Sequence, residues 1–144
     1  MSTFLIAVKD GTIKGFKTGV MLLKIMIPIY LLVVLIKYSP VMPWLEQLFQ
    51  PAMSIFKLPG DAIVPIVTGL FTDEYGVIAA MKSFDFSMAQ ITTIAMIILT
   101  AHSLPVESAL AQKIGFPPGK ILIMRIALAI VIGLLTGWLG GVFS

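Results

Sequence analysis

Residues 87–107 read SMAQITTIAMIILTAHSLPVE, and the fold turns on how this stretch is placed. From Ser87 to Ala101 it is a helical, strongly apolar segment whose polar members, Gln90, Thr92, Thr93 and Thr100, are uncharged. It then stops at Ala101-His102-Ser103-Leu104-Pro105. Pro105 suits the first turn of a new helix because its missing N–H is one the helix start leaves unpaired anyway, and Glu107 falls in the same turn. Gly115 and Pro117-Pro118 close that second helix after about ten residues, roughly 15 Å, too short to cross a bilayer alone.

Outward from this stretch the chain is apolar on a scale that water does not tolerate. Of its 144 residues 58% are hydrophobic and 12% charged, so too little charge exists to cover a soluble domain of this size. A hydrocarbon core about 30 Å thick needs an apolar run of about 17–25 residues. Gly19 to Tyr38 and Gly119 to Phe143 supply two, and with Ser87–Ala101 they give three spanning helices. The class is therefore an all-α polytopic membrane protein, read as one domain over residues 1–144. Residues 3–18 mix Phe4, Leu5, Ile6 and Phe16 with Lys9, Lys14 and Lys17, the pattern of an interfacial helix leading into the membrane, although Gly11 and Gly15 weaken it. No cleavable signal peptide is evident, since the first long apolar run carries Lys24 and Pro28.

After the first span Ser39-Pro40 and Pro43 break the helix, and Trp44 to Phe56 is a short amphipathic piece. Residues 59–82 hold two start signals: Pro59-Gly60 with Asp61 as N-cap, and Thr72-Asp73 with Glu74 behind it. Two short helices with a polar break make a re-entrant hairpin; one straight spanning helix is the rival reading. If the stretch re-enters, Lys9, Lys14, Lys17, Lys24, Lys113, Lys120 and Arg125 share one side, with Lys37, Lys57 and Lys82 opposite. If it spans, the split is even, so the positive-inside rule favours the hairpin and a cytoplasmic N-terminus.

Three features carry functional expectations. Asp73 and Glu74 stand where a half-helix begins, and interrupted membrane helices expose backbone that binds ions or solutes when it faces a cavity. A plain cap at the water interface explains the same residues. His102 and Glu107 sit beside a membrane segment, where buried ionisable groups mark substrate or proton paths, and protonation of either is a natural gate. On the last helix Ala129, Gly133, Gly137 and Gly141 recur every four residues, a small-residue row that lets another helix approach closely; Arg125 continues it one turn earlier, facing protein or snorkelling to headgroups.

Other chemistries lack their residues. Cys is absent, so disulfides, thiolate metal sites and cysteine nucleophiles are excluded, and the single His stands with no paired catalytic carboxylates and no phosphate-binding loop. No enzyme, cofactor, metal or nucleic-acid partner is expected; the net charge of +3 comes from lysines beside apolar runs.

Leu58-Pro59-Gly60-Asp61-Ala62, Val67-Thr68-Gly69-Leu70-Phe71 and Ala101 to Glu107 together resemble the nucleoside-recognition, or Gate, domain family of bacterial membrane proteins. Its relatives include spore maturation proteins A and B, the membrane part of ferrous iron transporter B and the concentrative nucleoside transporters. The likeness runs from about Gly15 to the C-terminus. It implies a bacterial cytoplasmic membrane location and hairpins and broken helices from two related units around a midplane site. The matching positions are Pro59 to Asp61, Thr68 to Glu74 and His102 to Glu107, making Thr68, Gly69, Asp73, Glu74, His102 and Glu107 the expected solute or ion ligands. With one Gate unit, a complete site needs a second copy or a related subunit. The expected function is half of a transporter for a small solute, nucleoside or ion. The alternative is a structural or assembly subunit docked through the glycine row.

Overall fold

The computed structural model describes residues 2–140, and among them every regular element is helical. In chain order these are α1 (Ser2–Lys37), α2 (Val41–Ile55), a single 3₁₀ turn (Gly60–Ala62), α3 (Ile63–Phe71), α4 (Glu74–Met81), α5 (Met88–Ala101), α6 (Leu104–Lys113) and α7 (Pro118–Gly140). Three stretches are long and apolar enough to cross a membrane: Ile6–Lys37, Met88–Lys113 and Pro118–Gly140. A fourth candidate, Val41–Ile55 followed by Gly60–Phe71, is bent by 92°.

Two expectations change in detail. Residues 3–18 form no separate helix: α1 is continuous for 36 residues, through Gly11, Gly15 and Pro28. A helical glycine costs only about 1 kcal/mol, too little to break a helix whose other residues favour it. The second span is not Ser87–Ala101 alone. At 14 residues α5 is about 21 Å long, and the 26-residue crossing is completed by α6. The break at His102 therefore lies inside a span.

Local chemistry sets the element ends. Ser87 and Gln90 form a capping box at the start of α5: Ser87 Oγ accepts from the Gln90 amide at 3.3 Å, and the Ser87 amide donates to Gln90 Oε1 at 2.8 Å. Asp73 caps α4 as its position promised, accepting from the Gly76 amide at 3.0 Å. Asp61 does not cap. It lies within the 3₁₀ turn, and the Gly60 amide beside it is taken by Gln50 Oε1 at 2.7 Å, so α2 holds this start instead. Gly115, at φ +81°, ends α6 in the left-handed conformation, which lets the Phe116 amide reach back to the Ala111 carbonyl at 2.9 Å.

The core gathers around α3 and α5, where Ile94, Ile98 and Thr93 are fully buried, with Val33 from α1, Met53 from α2 and Val77 from α4 closing over them. Large apolar side chains such as Leu31, Leu35, Ile123, Val131 and Leu135 point outward. Only 6% of the most apolar window of α1 is buried, so this face meets lipid. Against lipid, helix association comes from close packing and not from water exclusion.

The small-residue row of α7 shows that packing directly. Ala129, Gly133 and Gly137 are buried within the chain. A Cβ at Gly133 would come 2.7 Å from Ile97, and one at Gly137 would come 2.1 Å from the Phe56 carbonyl oxygen. Trp138 adds a hydrogen bond from Nε1 to the Ile55 carbonyl at 3.2 Å, and Lys57 lies 4.5 Å above its ring. Gly141 lies outside the described residues. Gly137→Ala is expected to destabilise by about 1–3 kcal/mol, because the atom in the way is rigid backbone. Gly119→Ala, with nothing within 4 Å of its added methyl, is expected to stay within about 0.5 kcal/mol of wild type. Thermal unfolding in detergent of the two variants checks the contrast.

Candidate functional site

The chain is interrupted twice within its membrane-facing body, between α3 and α4 at Thr72-Asp73 and between α5 and α6 at His102-Ser103, and the two interruptions meet. Ser103 joins them. Its amide donates to the carbonyls of Gly69 and Thr72, both at 3.0 Å, and its hydroxyl donates to the Thr72 carbonyl at 2.6 Å. Gly69 belongs to the last turn of α3 and Thr72 is its C-cap, the end at which a helix leaves its carbonyls without partners. Ser103 adopts φ 47°, ψ 38° to reach them, a left-handed conformation that costs a non-glycine residue on the order of 1–3 kcal/mol.

Gly69 and Gly76 bring the surrounding helices close enough for this. A methyl on Gly69 would strike Val77 at 2.5 Å and Ile98 at 2.6 Å, while one on Gly76 would strike the Thr72 hydroxyl at 2.4 Å and Ile29 at 3.0 Å. The Lys37 amine donates to the Ser83 carbonyl at the other end of α4, so α1 and α4 run side by side. The break at His102 falls within the 26-residue apolar stretch Met88–Lys113, long enough to cross a membrane.

Four ionisable side chains converge there. His102 Nε2 lies 3.3 Å from Glu74 Oε1 and 3.4 Å from Glu107 Oε1. The other oxygen of Glu107 pairs with the Arg125 guanidinium, whose Nε donates to the Thr100 carbonyl at 2.9 Å. That carbonyl is freed by the α5 break, so the guanidinium both neutralises Glu107 and satisfies the helix end. Arg125 thus faces protein, with its side chain only 16% exposed, whereas Glu74 and Glu107 remain 44% and 36% exposed. Two carboxylates thus face one guanidinium and one imidazole.

The remaining expected residues stand around this cluster. Asp73 adjoins it in sequence but spends its carboxylate on the α4 cap. Thr68 lines an apolar cavity of about 490 Å³ with Ile29, Val33, Phe49, Val64 and Thr72, and its hydroxyl is turned back onto the Val64 carbonyl at 2.8 Å. Gly69 contributes its carbonyl and its lack of a side chain. Among the described residues no three His, Asp or Glu side chains are arranged to hold a metal ion. Sequence reasoning missed Ser103, whose role depends on a backbone conformation that no residue pattern announces, and it left Arg125 between two environments. Spacing links Arg125 to the glycine row, but only the packing of α7 on α5 reveals Thr100 and Glu107 as its partners.

Compared with known families, residues 20–116 match the model of the Gate family, described as nucleoside recognition. The chain belongs to that family. It is also 39% identical over 135 residues to YvoD of Bacillus subtilis (strain 168), described as an uncharacterized membrane protein. That alignment takes in 91% of this chain and 43% of the relative, so the chain spans less than half the length of the curated relative it matches. No solved structure matches. The matched Gate region contains both breaks and the Glu74, His102 and Glu107 cluster, while Arg125 lies beyond it. A multi-pass membrane protein is what the family, the relative and the apolar helices agree on.

Removing one member of a fully buried ion pair costs about 3–5 kcal/mol, and less where, as here, the carboxylate is 36% exposed. Arg125→Met is therefore expected to lower stability by about 1–2 kcal/mol, and adding Glu107→Gln to recover most of that loss. A double-mutant cycle read by thermal unfolding in one detergent checks it, and simple additivity of the two losses would separate Arg125 from Glu107.

Proposed function

We propose that this Gate domain is half of a membrane transport unit for a small solute or ion, with a coupling proton held among Glu74, His102 and Glu107. The observation that carries the reading is the half-exposed charge cluster where the two helix breaks meet. Within a membrane such carboxylates do not stay against lipid, where a charged side chain at a helix centre costs at least about 2.5–3.5 kcal/mol. A second unit that covers them turns an open cluster into an enclosed site. The two breaks meet this need in kind, since irregular backbone at membrane depth is tolerated where it lines a cavity or is buried in protein.

The second unit is a further copy of this chain or a related Gate domain. The relative's greater length supports the idea, since more than half of it lies beyond the matched region. In this reading the N-terminus is cytoplasmic, in a bacterial cytoplasmic membrane, as the distribution of lysines favours. The added proton neutralises the excess negative charge and draws Glu74 and Glu107 together across His102. Its departure lets the carboxylates repel and moves the two joined breaks against the second unit. Acidic residues bind and release the coupling ion, and the solute enters from the side this movement exposes. The rival reading, a subunit docked through its glycine row, finds little support, because Gly133 and Gly137 are occupied by Ile97 and Phe56 of the same chain.

The test is ligand-dependent stability and flux of the purified protein, using nucleosides as probes and a proton gradient to drive uptake. A ligand at a hundredfold excess over its dissociation constant stabilises by about 2.7 kcal/mol. The expected result is a stabilising nucleoside whose effect disappears in Glu74→Gln, with its proton-driven uptake into proteoliposomes lost in the same variant. Equal stabilisation of wild type and Glu74→Gln by every probe, with uptake unchanged, would sink the reading.

A further inference from the structure

The serine between α5 and α6 occupies the N-cap position of α6 yet does none of a cap's work. A capping serine has extended backbone, and its oxygen accepts from an amide in the first turn. Ser103 has left-handed backbone and no side-chain capping bond. Its hydroxyl points the other way and donates to the Thr72 carbonyl at 2.6 Å, alongside its own amide at 3.0 Å. The Glu107 amide is satisfied by the Ser103 carbonyl instead, at 3.0 Å. One residue thus gives up a favourable role in its own helix to hold the end of another.

What it holds is the pivot of the hairpin. Thr72 is the last residue before Asp73, the cap of α4, and its own hydroxyl bonds to the Thr68 carbonyl at 2.7 Å. On the other side of Ser103 is His102, which lies against both Glu74 and Glu107. Two kinds of link therefore join the same pair of breaks. The Glu74–His102 contact depends on charge, and the Ser103 bonds do not.

We propose that Ser103 is a positioning residue that fastens the two helix breaks into one moving unit, its hydroxyl latching the α3–α4 tip to the α5–α6 break whatever the charge on the neighbouring cluster. Through this latch a displacement of Glu107 or His102 is passed to the tip, and the tip does not swing free when the charged contact opens. The idea deepens the transport reading by naming its pivot, but it concerns mechanical attachment and is tested without ligand or flux.

The experiment is amide hydrogen exchange on the full chain in detergent, comparing wild type with Ser103→Gly and Ser103→Ala. Glycine accepts the left-handed conformation without strain and keeps the amide bonds, so Ser103→Gly is expected to fold and to lose the hydroxyl alone. Removal of one hydrogen bond of ordinary strength is expected to speed exchange roughly fivefold. That rise should appear in residues 69–76, across the break from the substitution, with residues 129–137 of α7 unchanged. The same pattern in Ser103→Ala, where the strain remains, assigns the effect to the hydroxyl. A rise confined to residues 103–107, a uniform rise that includes α7, or no rise in residues 69–76 would overturn the latch. Because no probe is added, these outcomes stand apart from any failure to find a transported solute.

Discussion

Every backbone N–H and C=O inside a bilayer has to find a partner in the protein, because hydrocarbon offers none. An unbroken helix meets this condition by itself. A helix that stops within a span does not, and in this chain α3 and α5 stop where the two breaks meet. The ends are made tolerable by borrowing: Ser103 supplies donors to the Gly69 and Thr72 carbonyls, Arg125 supplies one to Thr100, and Asp73 accepts from Gly76. Each loan ties one element to another. Thus α3 is held by the α5–α6 break, α5 by α7, and α4 by its own preceding residue. The close approaches at Gly69 and Gly76 follow from the same requirement, since the borrowed partners reach only if the helices nearly touch.

The charged cluster is a consequence of this arrangement as much as an addition to it. Arg125 answers a freed carbonyl and brings a positive charge to the α5–α6 break; Glu107 answers that charge, and His102 and Glu74 follow. Read in this order, part of the cluster is structural. The part that structure alone does not require is the second carboxylate. Arg125 is already matched by Glu107, and Glu74 is a further carboxylate beside His102 and the most exposed member.

How far the sequence was legible depended on whether a feature was local. The helical class, the two long spans at either end, the short α2, the Asp73 cap and the stop at Gly115 all follow from hydropathy runs and end signals within a few residues. Asp61 misled because Pro-Gly-Asp has the composition of a cap while Gln50, ten residues earlier, does the bonding. The length of the second span misled because a break at His102 reads as an end, and only the run of α6 beyond it shows that the crossing continues. Glu74, His102 and Glu107 were recognisable as ionisable residues beside membrane segments, but their convergence was not, since Glu74 lies far along the chain from the other two. Ser103 was invisible for a different reason: a serine after a helix is ordinary, and its importance resides in a φ of 47°.

The glycine row carries a related lesson about small residues in membranes. Their spacing records close approach, and close approach has no preference between another chain and the same one. In this chain Gly137 sits beneath the backbone of Phe56 and Gly133 beneath Ile97, so the row seats α7 on α5 and on the turn after α2. That seating has a consequence for the charged cluster. Arg125 lies two turns and more before Gly133 on the same helix, and its guanidinium reaches Thr100 and Glu107 only because the row fixes how α7 is rotated. A shift of α7 by even part of a turn would carry Arg125 out toward lipid and leave Glu107 without its partner. The small residues of α7 therefore position Arg125 two turns away, and one helix acting as a rigid rod couples the packing of the row to the electrostatics of the cluster.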